Sequence, residues 1–171
     1  MKPCAVCEKP FIEARMGQKV CGYKCASKLH KVALAKRKEA LKSRSDYIKE
    51  AQVEFNRFIR ARDANLPCIS CDRNTGSKVN AGHYLSVGSN PQLRFNEDNC
   101  HKQCEHCNTY KSGNQAAYRP RLIERIGLER VEWLEGHHEA TKYSIEQIKQ
   151  IKADYKLKFK ELKDGALQNE N

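Results

Sequence analysis

The fold depends on residues 68–114, which read CISCDRNTGSKVNAGHYLSVGSNPQLRFNEDNCHKQCEHCNTYKSGN. Two cysteine pairs, Cys68 with Cys71 and Cys104 with Cys107, stand near the two ends of this stretch. In each pair a two-residue gap lets both sulfurs reach the same ion, and a structural zinc site takes four tetrahedral ligands. The spacing therefore predicts one structural zinc ion that closes the chain between the two pairs into a loop.

A second set of four cysteines lies in residues 1–25. Its members also form two close pairs: Cys4 and Cys7, then Cys21 and Cys25. This spacing predicts a second structural zinc ion, because the apolar interior formed by Phe11, Ile12 and Val20 is too small to fold without metal. The alternative is that the cysteines are buried as small hydrophobic side chains. Cys100 belongs to neither set, and we expect it to be such a buried thiol.

The composition limits the class of protein. The 171 residues suit one compact domain or a small core with helical extensions, and not a large multidomain enzyme. Lys and Arg outnumber Asp and Glu by 32 to 21, which gives a formal net charge of +11 and favours a polyanionic partner, most often nucleic acid. The longest apolar run, residues 32–35, is far too short to span a membrane, and no signal sequence opens the chain. We therefore expect a cytoplasmic protein, whose cysteines do not form disulfides.

Most of the surplus positive charge lies in residues 24–62. This stretch contains no glycine or proline, favours a helix, and carries twelve Lys or Arg against four Asp or Glu. Residues 43–46 can kink this helix or cap a new one, and the apolar spacing from 47 to 59 predicts an amphipathic helix. DNA phosphates are the expected partners of these basic residues: Lys28, Lys31, Lys36, Arg37, Lys38, Lys42 and Arg44. The alternative is a basic face that contacts only solvent.

Turn signals and periodicity predict the remaining elements. They are a turn at 74–77, a strand or hairpin at 79–87, a segment at 98–111 that is helical after an irregular entry and stops at Gly113, and a further helical region with Pro120 in its first turn and apolar residues from 122 to 134. The capping-box pair Ser144 and Gln147 predicts the start of the last helix.

The predicted fold class is α+β and mainly helical, with a small zinc-stabilised core and long flanking helices. The predicted domains are 1–25, the first zinc knuckle; 26–66, the basic and amphipathic helices; 67–114, the zinc-stabilised core; and 115–171, a C-terminal helical region.

The core contains the motifs AGHY at residues 81–84 and NCHKQCEHCN at 99–108. Together they resemble the His-Asn-His (HNH) nucleases, in which two strands, a helix and a metal ion form a ββα-metal fold. The resemblance implies that His83 is the general base, that Asn99 orients the loop and the histidine, and that Asn108 is a metal ligand. An asparagine directly after a knuckle cysteine is similar to phage endonuclease VII, which resolves branched DNA.

The whole chain looks like the NinG (Rap) family of lambdoid phages. The resemblance rests on the N-terminal cysteine set, the basic helix, both motifs, SGN after Lys111 and the terminal helices. It implies a structure-specific endonuclease that acts on Holliday junctions and other branched DNA, with two structural Zn²⁺ ions and a catalytic Mg²⁺ or Mn²⁺ ion, in the cytoplasm of the bacterial host. Cutting a four-way junction symmetrically favours a homodimer, for which helices at 46–62 or 144–163 offer interfaces.

One position departs from the HNH pattern. Many of these nucleases carry an acidic metal ligand directly before the base histidine, where this chain has Gly82. His101 is the first candidate to complete the metal site, and His106 and Asn80 are further alternatives. His83 can instead brace the zinc loops, and Asn108 can instead cap a knuckle. The second functional hypothesis is therefore a catalytically inactive, zinc-dependent DNA-binding module.

Overall fold

The computed structural model describes residues 1–74 and 78–168, with side chains described as far as residue 165. Most of the predicted turn at 74–77 thus lies outside the described residues. The chain forms two compact units, Met1–Ser43 and Arg44–Asn171. The four-part domain division inferred from the sequence stays a prediction.

The first unit combines a short hairpin with one helix. Strands β1 (Lys2–Pro3) and β2 (Pro10–Phe11) pair in antiparallel fashion, and helix α1 spans Tyr23–Ala40. Phe11 and Val20 pack beside Cys4 as predicted, but the prediction is wrong for Ile12, which is 80% exposed. Because successive side chains of an extended chain point to opposite sides, burial of Phe11 turns its neighbour outward. In α1, all of which is described, no side chain is fully buried.

Two long helices enclose one core of the second unit. Helix α2 spans Arg44–Arg62 and packs against helix α5, Ile145–Gln168. The amphipathic face predicted for α2 is confirmed, because its apolar side chains are buried: Tyr47, Ala51, Phe55, Phe58 and Ile59. From α5, Ile148 and Tyr155 enter the same cluster.

Two predicted helix boundaries are confirmed. A break falls at the predicted place between the basic and the amphipathic helix, because α1 ends at Ala40 and α2 begins at Arg44. The capping box of α5 also forms: Ser144 Oγ accepts the Gln147 N–H at 3.2 Å, and Gln147 Oε1 accepts the Ser144 N–H at 2.7 Å. These reciprocal bonds satisfy donors that a helix start leaves without partners.

The predicted helix at 98–111 is wrong. Residues Cys100–Cys104 form strand β4, which pairs in antiparallel fashion with strand β3, Val79–His83. Only His106–Tyr110 are helical, as a single π-helical turn. All five residues of β4 are buried, so the strand is covered on both faces and lacks the alternation by which a strand is recognised.

A second core lies beneath helices α3 (Gln115–Ile126) and α4 (Leu128–Glu135). Its buried side chains come from both helices and from residues 68–114: Ile69, Tyr84, Leu93, Tyr118, Leu122, Val131 and Leu134. Pro120 lies in the second turn of α3, not in the first as predicted. The described part of the protein is thus mixed α/β and mainly helical, and none of its helices is long and apolar enough to cross a membrane.

Candidate metal centres and active site

The N-terminal cysteines converge on one point. The ligand atoms of Cys4, Cys7, Cys21 and Cys25 all lie within 4.8 Å of one another. The sulfur of Cys21 is 3.6 Å from that of Cys7 and 3.6 Å from that of Cys25. Four sulfurs at about 2.3 Å from one tetrahedral zinc ion lie about 3.8 Å apart, so this cluster can bind zinc.

The second set of cysteines has the same geometry. The sulfurs of Cys68, Cys71, Cys104 and Cys107 lie within 4.8 Å of one another, with Cys71 and Cys104 at 3.9 Å. The cluster joins the end of β4 and the π-helical turn to the residues after α2. The grouping predicted from spacing is therefore confirmed for both sets, and Cys100, which is fully buried, belongs to neither.

Backbone N–H groups favour the thiolate of one cysteine in each cluster. Burial raises the pKa of the Cys68 thiol, but N–H groups led by that of Cys104, whose nitrogen lies 3.3 Å from the sulfur, lower it to about 7. Burial also raises the pKa of Cys4, and the N–H groups of Cys7 and Cys21 lower it to about 6. The thiolate is the form that binds zinc, so these hydrogen bonds favour metal binding.

His83 ends strand β3 and lies between helix α2 and a loop. Its ring stacks on Phe55 with centroids 5.9 Å apart, and its Nε2 lies 2.9 Å from the backbone oxygen of Arg94. A carbonyl oxygen only accepts, so Nε2 carries the proton and Nδ1 is the basic nitrogen. Nδ1 lies 3.8 Å from the sulfur of Cys100. Burial lowers the pKa of His83 below its ordinary value, which keeps the ring neutral at pH 7.

Asn99 holds the loop that follows His83. Its side chain is fully buried, and Nδ2 donates to the backbone oxygens of Leu85 at 3.0 Å and Leu93 at 3.3 Å. Its Oδ1 accepts the Leu85 N–H at 2.8 Å. Because the same loop supplies the Arg94 carbonyl, Asn99 fixes the position of the group that holds the His83 ring. These bonds suit the orienting role that the resemblance implies, and that role stays a prediction.

Gly82 faces Asn108 across a tightly filled space. A Cβ atom at position 82 would overlap Oε1 of Gln103, and would lie 2.9 Å from its Cδ and 3.0 Å from Asn108 Oδ1. A side chain at position 82 would therefore require Gln103 to move. Neighbouring residues of a strand point to opposite faces, so Gly82 and His83 belong to opposite faces of the β3–β4 pair. Gln103 was not predicted as a site residue.

His101 lies directly opposite Gly82 in the strand pair. It is 3% exposed, and burial lowers its pKa to about 3. Its Nδ1 is 3.2 Å from the hydroxyl of Tyr118, which donates to the Gly82 backbone oxygen at 3.0 Å. The histidine is thus a neutral donor to Tyr118, and metal binding by it stays a prediction.

The two further alternatives for the metal site differ in setting. Asn80 is paired with Gln103 in the strand register. His106 is exposed on the π-helical turn, where its ring lies 6.2 Å from that of Tyr110. Metal binding by either residue stays a prediction.

The predicted DNA-binding residues fall into two groups. Those in α1 are all exposed: Lys28, Lys31, Lys36, Arg37 and Lys38. Lys42, just beyond the helix, forms an ion pair with Glu39 at 2.5 Å. Arg44 begins α2 and donates through Nε to the Tyr143 backbone oxygen at 2.7 Å. The exposed α1 residues therefore offer the charge for phosphate contacts, which stay a prediction.

The elements and clusters define a class, a mixed α/β and mainly helical protein with two sites that can bind zinc. The profile of the family described as "Bacteriophage Lambda NinG protein" matches residues 27–165. The chain belongs to the NinG family. The matched range contains the whole strand pair and the second cysteine cluster, and it begins just after the first cluster.

Curated relatives from several phages support this assignment. Protein ninG of Escherichia phage lambda is 52% identical over 129 residues, which cover 75% of this chain and 63% of the relative. Protein ninG of Salmonella phage P22 is 51% identical over 129 residues, covering 75% and 64%. The chain therefore spans less than two thirds of the length of these relatives. No solved structure matches the chain.

Proposed function

We propose that this NinG-family protein is a divalent-metal-dependent DNA endonuclease of the HNH class that acts on Holliday junctions and other branched DNA in phage recombination. The observation that carries the proposal is the setting of His83. Its Nε2 is held by the Arg94 carbonyl at 2.9 Å, its loop is held by Asn99, and the position directly before it faces Asn108. These bonds leave Nδ1 as the basic nitrogen of the ring, which the proposed role as general base requires.

The proposed chemistry assigns one task to each of these residues. Nδ1 of His83 takes a proton from the attacking water, while the Arg94 carbonyl fixes the ring and stabilises the imidazolium that forms. Asn99 keeps that carbonyl in place through the loop. Asn108 offers an amide oxygen, a ligand that hard divalent cations accept. A Mg²⁺ or Mn²⁺ ion held there would supply positive charge to neutralise the scissile phosphate and the departing oxygen.

The zinc clusters and α1 support the DNA-directed part of the proposal. The second cluster ties β4 to the chain after α2, close to the residues assigned to catalysis. The exposed Lys and Arg side chains of α1 provide positive charge without requiring a base sequence, because phosphate contacts carry no direct sequence information. Recognition of branched DNA by shape agrees with such contacts.

The decisive experiment is a cleavage assay on four-way and linear DNA with and without Mg²⁺ or Mn²⁺. We expect cleavage that needs the ion, and a loss of about 10²–10⁴-fold for His83→Ala with zinc content and DNA affinity nearly unchanged. His137→Ala is the matched control, since His137 is exposed on the loop after α4 and should leave the rate unchanged. Normal cleavage by His83→Ala would refute the assignment of the base.

Gly82 favours the second candidate function, an inactive zinc-dependent DNA-binding module. It provides no carboxylate where many HNH nucleases have an acidic ligand. This candidate predicts tight binding of branched DNA with no cleavage under any of the ions. The same assay therefore distinguishes the two functions.

A further inference from the structure

One buried oxygen beside Gly82 has no hydrogen-bond partner among the described residues. It is Oε1 of Gln103, whose side chain is fully buried. The other end of the same amide is well bonded, because Nε2 donates to Ser70 Oγ at 2.7 Å and to the Gly113 backbone oxygen at 2.5 Å. Buried polar atoms nearly always have partners, so this oxygen indicates a partner that is not a protein group.

A flip of the Gln103 side-chain amide is unfavourable. Both acceptors of Nε2 hold that nitrogen in place, and a flipped amide would set its oxygen against the Gly113 carbonyl oxygen, which cannot donate. The orientation of the amide is thus determined by its bonds, and Oε1 points toward the place that a side chain at position 82 would occupy.

Asn108 Oδ1 lies near the same position. It is 3.0 Å from the point where a Cβ of residue 82 would be, and that point also overlaps Gln103 Oε1. Two amide oxygens therefore lie around the position where an acidic side chain of residue 82 would begin. Oxygen ligands, amide carbonyls included, are those that Mg²⁺ and Mn²⁺ accept.

We propose that Gln103 and Asn108 together hold the divalent cation, with Gln103 Oε1 in the role that a carboxylate at position 82 would have. This inference rests on the proposed nuclease function and adds a ligand from β4 to it. Glycine at position 82 then does not cost the site a ligand, because the missing side chain leaves room for Gln103 to take its place. A neutral amide also leaves more of the charge of the cation to act on the phosphate than a carboxylate does.

The first test measures Mn²⁺ binding to the full zinc-loaded chain, by electron paramagnetic resonance of free Mn²⁺. Gln103→Leu removes the oxygen and should weaken Mn²⁺ binding by about tenfold or more. Gln150→Leu, on the exposed side of α5, is the matched control and should bind Mn²⁺ like the wild type. Zinc content and melting temperature show whether each variant is folded. Unchanged Mn²⁺ binding by folded Gln103→Leu overturns the inference.

An exchange of ligands provides a second test. Gly82→Asp alone places a side chain onto Gln103 and should weaken Mn²⁺ binding. Gly82→Asp combined with Gln103→Ala gives the carboxylate the room it needs and should restore binding at least to the wild-type level. A double variant that is folded and binds no better than Gly82→Asp contradicts the inference.

A measurement on the wild type does not depend on the stability of any variant. Mg²⁺, which is diamagnetic and does not broaden every neighbouring signal, should shift the side-chain amide NMR signals of Gln103 and Asn108 and leave that of Gln150 unchanged. If Asn108 shifts while Gln103 does not, the partner of Gln103 is an ordered water and the inference falls, whereas Mg²⁺-dependent cleavage would leave the proposed function standing. If Gln103 shifts but no DNA is cut under any ion, the cation site stands and the nuclease function falls.

Discussion

At the scale of single residues, the site depends on which nitrogen of His83 is basic. The Arg94 carbonyl accepts the Nε2 proton, so in the proposed reaction Nδ1 is the atom that takes the proton from water. Nδ1 lies 3.8 Å from the Cys100 sulfur, and burial raises the pKa of that thiol far above its ordinary value. The thiol of Cys100 therefore stays protonated and places no negative charge next to the His83 ring.

The pH dependence of cleavage follows from the same surroundings. Burial lowers the pKa of His83 from 6.5, and the positive charge of Arg94 lowers it further, although the bond to the Arg94 carbonyl raises it. The base is active when neutral, so we expect the single-turnover rate to rise with pH through a pKa below 6.5 and to be level at pH 7. The check is a pH–rate profile of the zinc-loaded protein. A rate that still rises well above neutral pH would assign the proton transfer to another group.

The site was predictable from the sequence only in part, for a physical reason. The motifs single out His83, Asn99 and Asn108, and the roles implied for these residues stay predictions. His83 and Asn99 both contact the loop that contains Arg94, and Asn108 lies near Gly82. Gln103 could not be found in this way, because it lies beside Gly82 only when residues 100–104 form a strand. The helix predicted for 98–111 does not place these two residues on one face of a strand pair.

At the scale of elements, the long helices were predictable from the sequence, but strand β4 and the π-helical turn after it were not. Helices α2 and α5 each bury one face, so their apolar spacing repeats with the helical period. In β4, the ammonium of Lys102 is buried and donates to the backbone oxygens of Ala64 and Leu66, both at 2.7 Å. From the sequence, a lysine is expected at the surface, so the charged Lys102 hides the fact that β4 is buried on both faces.

The cysteine clusters lead to a prediction about metal content. Cys7→Ser and Cys71→Ser each remove one ligand from a different cluster, so each variant should retain one zinc ion per chain instead of two. Cys71→Ser should also lower the melting temperature of the unit that contains the residues proposed for catalysis. Elemental analysis of natively purified protein measures the zinc content, and thermal unfolding measures the stability. Cys100→Ala is the control and should keep two zinc ions, since Cys100 lies outside both clusters. Folded wild-type protein with one zinc ion or none would contradict the assignment of the two clusters.

Helix α1 leads to a prediction about salt dependence. Substituting Lys36, Arg37 and Lys38 together by Ala should weaken DNA binding and reduce the slope of log K against log salt by about 0.9 for each phosphate that the variant no longer neutralises. The measurement is a binding titration at several salt concentrations, on branched and linear DNA. The comparison set on α5, Lys156→Ala with Lys160→Ala, should leave the slope closer to the wild type. An unchanged slope for the α1 variant would show that α1 is only a solvated face.

At the scale of the whole molecule, charge and shape have separate effects. A net charge of +11 would attract any DNA, and counterion release would make that attraction sensitive to salt. It cannot distinguish a junction from a duplex of equal length, because both present similar phosphate densities. A preference for junctions must come from two binding surfaces that fit two diverging arms, and a pair of chains related by two-fold symmetry provides them.

We therefore predict that four-way and three-way junctions bind more tightly than linear duplex of equal length, and that the protein makes paired nicks near the branch point. Symmetric nicks require two catalytic sites, so the active species on a four-way junction should be a dimer, as measured by light scattering of the complex. Competition binding at physiological salt compares the substrates, and the α1 variant should weaken both without removing the difference between them, since the difference comes from shape. Equal affinity for junction and linear duplex would remove the branched-DNA specificity and leave a nonspecific nuclease or binding module.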